Sequence, residues 1–98
     1  MQITFTGHQI DVTDALRKFT RDKLDRIERH FERITNIHIT LAVEKLRHIA
    51  EANTHIPGAG IIHASAESAE DMYAAISALV DKLERQLKKH REKETAHH

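Results

Sequence analysis

Between Lys82 and Lys93 the sequence KLERQLKKHREK sets six basic residues against two acidic ones, in a chain whose formal net charge is zero. Cations concentrated on a neutral chain describe a local anion-binding face. At about 100° per residue, Lys82, Arg85, Gln86, Lys89 and Lys93 fall in one narrow helical stripe. Met72, Ile76, Leu79, Val80, Leu83 and Leu87 form an apolar stripe roughly a quarter to a third of a turn away, so one helix can pack and bind at once. Glu70, Asp71 and Asp81 come first with no basic residue between them, leaving the helix negative at its start and positive at its end, as the helix dipole favours. A solvated amphipathic helix would carry the same composition.

Other residues offer less. Seven basic residues lie between Arg17 and Arg33, but Asp22 with Arg26 and Asp25 with Arg29 are i,i+4 pairs in the favourable orientation, which predicts charge neutralised on the helix surface. Lys23 projects at the edge of the apolar stripe, and Arg33 has Arg29 rather than an acid four residues before it. Lys23, Arg26 and Arg33 are secondary candidates for phosphate contact, and Lys45 and Arg47, at a predicted turn, could extend the patch. His38, His55 and His63 occupy the polar phase of their strands and could meet on an open sheet face, where a zinc site is conceivable, although no HxxxH or HxH spacing supports it. Their protonation could add positive charge at low pH. Ser65, Ser68 and Ser77 sit in no elbow or triad spacing, and Gly7, Gly58 and Gly60 form no phosphate-cradling loop before a helix, so catalysis and a cofactor are not expected. Phe5, Phe19 and Phe31 belong to apolar faces or their borders, leaving Tyr73 as the one candidate exposed ring. If RNA is the ligand, phosphates, ribose and shape must carry recognition rather than base stacking.

The elements that position these residues follow from the hydrophobic period. Ile3 and Phe5 alternate with polar neighbours in a strand ending near Gly7. A helix is predicted from an N-cap at Thr13 to Ile34, burying Leu16, Thr20, Leu24, Ile27, Phe31 and Ile34, with Asn36 as its stop. Ile37, Ile39, Leu41 and Val43 alternate as a half-buried strand; a weaker one runs from His48 to Ile56; Pro57, Gly58 and Gly60 turn into a fourth from Ile61 to Glu67. Ser68 is the expected cap of a last helix reaching about Lys93, with Asp71 in the capping-box position. The predicted fold class is α+β, in the order β-α-β-β-β-α: a four-stranded sheet with two helices packed on one face and the first strand parallel to the second through the helical crossover.

Ninety-eight residues suffice for one core, read as a single domain over 1–94 with a frayed tail at 95–98; His97 and His98 could be foreign to the native chain. The absence of cysteine removes disulfides and thiolate chemistry and fits a reducing compartment. No apolar run approaches the roughly 20 residues that span a bilayer, and MQITFTGH lacks the pattern of a signal peptide, so a cytoplasmic location without a membrane partner is expected. Zero net charge argues against long-range attraction of nucleic acid by the whole molecule and requires an asymmetric surface for any such binding.

Two RNA-binding families share this layout. The α-β-β-β-α order of the double-stranded-RNA-binding domain is similar, but that family's lysine cluster opens the final helix, where this chain has Glu70 and Asp71. The sequence resembles the ribosome hibernation promoting factor family, also called ribosome-associated inhibitor or protein Y, over essentially its full length. The resemblance rests on MQITFTG, VTDALR, VEK, IHASAE, EDMYAAI and DKLERQLKKH. It implies a non-enzymatic bacterial translation regulator of starvation or stationary phase, ribosome-associated, which binds the small ribosomal subunit in the channel of messenger and transfer RNA. Carried onto this chain, the rRNA-facing residues are Lys82, Arg85, Lys88, Lys89 and Arg91, supported by Lys23 and Lys45, with Arg26, Arg33 and Lys93 secondary. Asp71 and Tyr73 also match, but capping and packing account for them equally well. Lacking an acidic tail or an added C-terminal domain, the chain looks like the short form, expected to be a monomer when free and, by family analogy, to act with ribosome modulation factor in forming ribosome dimers. Two other classes stay open: a histidine-bearing protein-interaction or metal-responsive module, and a general structured-RNA-binding domain.

Overall fold

In the computed structural model the described residues are 1–58 and 60–96, with side chains described as far as Arg91; Ala59, His97 and His98 lie outside them. The elements are β1 (Gln2–His8), α1 (Asp14–His30), β2 (Asn36–Glu44), β3 (Arg47–Ile56), β4 (Gly60–Ser68) and α2 (Met72–Ala96). The strands lie in sequence order in one sheet, with β1 parallel to β2 and the other neighbours antiparallel. The predicted order and crossover hold, and α2 runs three residues past Lys93.

Strand alternation sends one set of side chains beneath the helices. Ile39 pairs with Ala52 and Ala52 with Ala64; Leu41 pairs with Ala50 and Ala50 with Ala66. The helix-facing side is therefore branched and bulky on β2 and reduced to alanine along the middle of β3 and β4. All six of these residues are buried. The alanines leave room for α2, which packs on β3 and β4 through Ala75, Ile76, Leu79, Leu83 and Leu87. Leu16, Leu24 and Ile27 of α1 complete the core. Among the described residues the two buried polar side chains, Thr20 and Thr54, are satisfied by backbone carbonyls: Thr20 Oγ1 donates to Leu16 O at 2.8 Å, and Thr54 Oγ1 to Asn36 O at 2.6 Å.

Helix boundaries differ from expectation at two places. Thr13 is the N-cap of α1, its Oγ1 accepting the Leu16 N–H at 3.2 Å. That helix ends at His30, however, because Phe31 leaves helical geometry (φ −132°, ψ 74°) and Ile34 N–H closes a turn onto Phe31 O at 3.2 Å. Phe31 and Ile34 are buried as predicted, but a turn delivers their i,i+3 spacing to the core as well as a helix would. Asn36, expected as a helix stop, opens β2 opposite Gln2. At the second helix Asp71, not Ser68, is the cap: its Oδ1 accepts the Ala74 N–H at 2.8 Å and its carbonyl the Ala75 N–H at 3.3 Å. Ser68 Oγ accepts the Glu70 N–H at 3.0 Å in the approach, since Ser68 still belongs to β4.

Gly7 does more than end a strand. A Cβ built there would lie 2.5 Å from the Ile10 carbonyl oxygen and 3.0 Å from Val12 Cγ2, so the loop after β1 folds back on a bare backbone. Gly7→Ala is expected to lower stability by about 1–3 kcal/mol in denaturant titration, because backbone rather than a flexible side chain must move. Asp71→Ala should lower it by about 1 kcal/mol, roughly 4–8 °C in melting temperature, with Ser68→Ala having the smaller effect. The reverse ranking would return the cap to Ser68.

Candidate nucleic-acid interface

The apolar stripe of α2, seated on β3 and β4, fixes the direction of every other side chain on that helix. Lys82, Arg85 and Lys89 project beside β4, the last strand of the sheet, and line a groove of about 340 Å³ together with Gln86 and the β4 residues His63, Ala64 and Ser65. Lys82 Nζ donates to the Ser65 carbonyl oxygen at 2.8 Å, so a cation covers part of the unpaired strand edge. His63 Nδ1 lies 2.7 Å from Asn53 Oδ1, which holds the imidazole at the groove wall. The result is three cations in register along a strand edge, a surface suited to phosphates spaced along a backbone.

The other candidates are not gathered there. Arg91 lies on the opposite flank of α2, its guanidinium 4.7 Å from the centre of the Phe31 ring and its Nη1 donating to His30 O at 3.1 Å. Lys88 is exposed and takes no part in lining the groove. Lys23 Nζ lies 5.5 Å from the centre of the Phe19 ring. Lys45 occupies the β2–β3 turn with φ +54°, a left-handed conformation costly for a residue with a side chain, next to Leu46, which is 83% exposed. Because His48 pairs with Ser68, this turn lies at the sheet end from which the chain passes through Glu70 and Asp71 into α2, away from the basic half of that helix. The side chain of Lys93 lies outside the described residues.

Three arginines, Arg26, Arg29 and Arg47, are neutralised by carboxylates. Arg26 was expected to pair with Asp22 on its own helix. Instead its Nε donates to Glu84 Oε2 at 2.8 Å and its Nη2 reaches Asp81 Oδ1 at 3.4 Å, both on α2. The neighbouring helices bring a second carboxylate pair within reach, and Asp22 accepts from Lys18 Nζ at 2.9 Å instead. The predicted Asp25–Arg29 pair forms at 3.3 Å. Arg47 binds Glu67 Oε2 through Nε at 3.0 Å and Nη2 at 2.6 Å, so it does not extend the patch. Arg33 Nη2 donates to Pro57 O at 2.9 Å, joining the end of α1 to the β3–β4 turn.

Tyr73 and His38 are also engaged. Tyr73, though 41% exposed, meets Phe19 edge to face at 4.9 Å between centroids, which ties it to the helix–helix seam. His38 has Thr4 Oγ1 2.7 Å from Nδ1 and Thr6 Oγ1 2.9 Å from Nε2, leaving neither nitrogen directed at a metal. No group of three or more potential metal ligands forms among the described residues. No described helix is long and apolar enough to cross a membrane. What sequence reasoning missed is the part played by His63 and Ser65 in the groove, since their strand becomes an edge only once the strand order is known.

Comparison with known proteins adds ancestry to this geometry. The model of the family described as Sigma 54 modulation protein / S30EA ribosomal protein matches residues 3–95. A ribosome hibernation promoting factor of Azotobacter vinelandii is 54% identical over 94 residues, covering 96% of this chain and 86% of that protein. The protein of the same name from Escherichia coli is 47% identical over 97 residues, covering 99% of this chain and 100% of its own length. Among solved structures, a ribosomal subunit interface protein from Coxiella burnetii superposes with a TM-score of 0.87 at 43% identity, covering 94% of this chain and 99% of that one. The N-terminal domain of Thermus thermophilus Protein Y gives 0.79 at 32% identity, covering 92% and 99%. The full-length identity and the shared β-α-β-β-β-α architecture make this chain a member of the Sigma 54 modulation protein / S30EA ribosomal protein family, a family of binding proteins and not of enzymes.

Proposed function

We propose that this chain is a ribosome hibernation factor that binds the small ribosomal subunit in the mRNA and tRNA decoding channel through the basic face of α2. A rigid domain seated there excludes messenger and initiator transfer RNA by volume, blocks initiation and favours storage of inactive ribosomes in stationary phase or stress. Dimers of such ribosomes, formed with ribosome modulation factor, are the expected storage state. The protein is then cytoplasmic in the sense that its ribosomal partner is. The observation that carries the reading is the convergence of Lys82, Arg85 and Lys89 on one groove beside the β4 edge. Zero net charge supports it, because a neutral molecule with one basic face gains little from non-specific attraction to RNA at large.

The binding energy in this mechanism comes mainly from counterions released as phosphates are neutralised. Cosedimentation with small subunits should weaken steeply with salt; about six phosphate contacts correspond to a loss on the order of 10³ between 50 and 200 mM. Charge reversal at Lys82, Arg85 and Lys89 together should abolish cosedimentation while leaving circular dichroism and melting nearly unchanged. Full binding by that folded triple variant would sink the basic-face mechanism. In competition, messenger and initiator transfer RNA should displace the wild-type chain; indifference to both would move the site out of the decoding channel.

A further inference from the structure

At the sheet edge opposite the α2 groove, two cations share one aromatic ring. β1 is the first strand of the sheet and β4 the last, and Phe5 of β1 carries the Arg17 guanidinium 5.1 Å and the Arg21 guanidinium 5.7 Å from its ring centre. The two arginines stand four residues apart on α1, so their side chains leave the same face of the helix. Like charges at that spacing repel, and the ring offsets part of the cost by attracting both.

What the pair lacks is a counter-charge. Arg21 borders a hollow with Asp22, Asp25 and Glu28, but another cation engages each of these carboxylates: Lys18 holds Asp22 at 2.9 Å, Arg29 holds Asp25 at 3.3 Å, and the amino group of Met1 holds Glu28 at 3.1 Å. Asp14, three residues before Arg17, makes no ion pair with it. Among the described residues neither Arg17 nor Arg21 forms an ion pair at all. Arg17 is half-buried and Arg21 exposed, so both can still be reached from solvent. Guanidiniums already leaning on a ring lose little side-chain entropy when an anion arrives, and each presents a planar fork of N–H donors.

We infer that Arg17 and Arg21, backed by Phe5, form a second phosphate site that takes one backbone phosphate of the small-subunit RNA. A phosphate suits the pair because its oxygens can accept from both guanidiniums at once. This rests on the reading of the chain as an rRNA-binding factor. It adds that RNA is held at both edges of the sheet, whose outer strands lie roughly 14 Å apart at about 4.8 Å per strand spacing.

The test compares variants of the full chain in cosedimentation with small subunits across a salt series. Arg17→Gln with Arg21→Gln should weaken binding by about ten- to a hundredfold and lower the salt slope by about one, with circular dichroism and melting nearly unchanged. Arg17→Lys with Arg21→Lys keeps both charges but loses the forks, so affinity should fall while the slope stays the same. Lys18→Gln with Arg47→Gln removes the same charge at positions already paired with carboxylates and should weaken binding far less. An equal loss from that control would assign the effect to net charge and overturn the site, as would full binding by Arg17→Gln with Arg21→Gln. Titration of the free chain with inorganic phosphate at fixed ionic strength distinguishes the source of the anion. Saturable phosphate binding that needs both arginines, together with subunit binding indifferent to them, would make this a free-anion site and overturn its assignment to RNA. Subunit binding that is lost on charge reversal of Lys82, Arg85 and Lys89 yet indifferent to the α1 variants sinks this site alone; failure of the wild-type chain to cosediment sinks the ribosomal reading and the site with it.

Discussion

The rest of the molecule depends on the seating of α2 against the alanine half of the sheet. Ala50, Ala52, Ala64 and Ala66 leave a shallow bed, and Ile76, Leu79, Leu83 and Leu87 fill it. Each such side chain stabilises the fold by about 1.5–3 kcal/mol when fully buried, so the rotation of the helix about its axis is set by packing. With that rotation fixed, a stripe a quarter of a turn away has one place to go: along β4. A single hydrophobic contact surface thereby decides where the positive charge of a neutral protein is displayed.

Some of the charge elsewhere holds elements together. Arg26 joins α1 to α2 through Glu84 and Asp81, Arg47 joins β3 to Glu67 of β4, and Arg33 joins the end of α1 to Pro57. Exposed ion pairs contribute little stability individually, but each cancels a cation that would otherwise attract phosphate at random. Among the described residues no ion pair involves Lys82, Arg85 or Lys89, nor Lys23, Lys45 or Lys88; what sets the first three apart is the groove they share. That grouping gives the surface its direction.

The open face of the sheet is organised by a different chemistry. Register places Thr4 opposite His38, His38 opposite Asn53 and Asn53 opposite His63, a polar row crossing all four strands. Side-chain hydrogen bonds tie its two ends, Thr4 and Thr6 to His38 and Asn53 to His63. The histidines thus brace the strands, and the last of them forms part of the groove wall. His38 and His63 are engaged within the sheet, and no group of three or more potential metal ligands forms among the described residues.

Much of this was legible in the sequence, because it depends on periodicity. The alternation of Ile37, Ile39 and Leu41, the cap at Thr13, the apolar stripe of α2 and the basic stripe beside it are all local patterns with one physical solution, and the family motifs are linear. The end of α1 was not legible, since Phe31 and Ile34 satisfy the core equally from a helix or a turn; nor was the cap of α2, where Ser68 and Asp71 are both chemically able. Projection onto one helix gave Lys82, Arg85 and Lys89 as a set, but the division of that set from Arg91, the capture of Arg26 by α2 and the entry of His63 into the groove required the strand order and the pairing of helices. Local chain chemistry determines which way a side chain leaves its own element. Only the tertiary structure decides what it meets there, because that depends on residues dozens of positions away brought within a few ångströms.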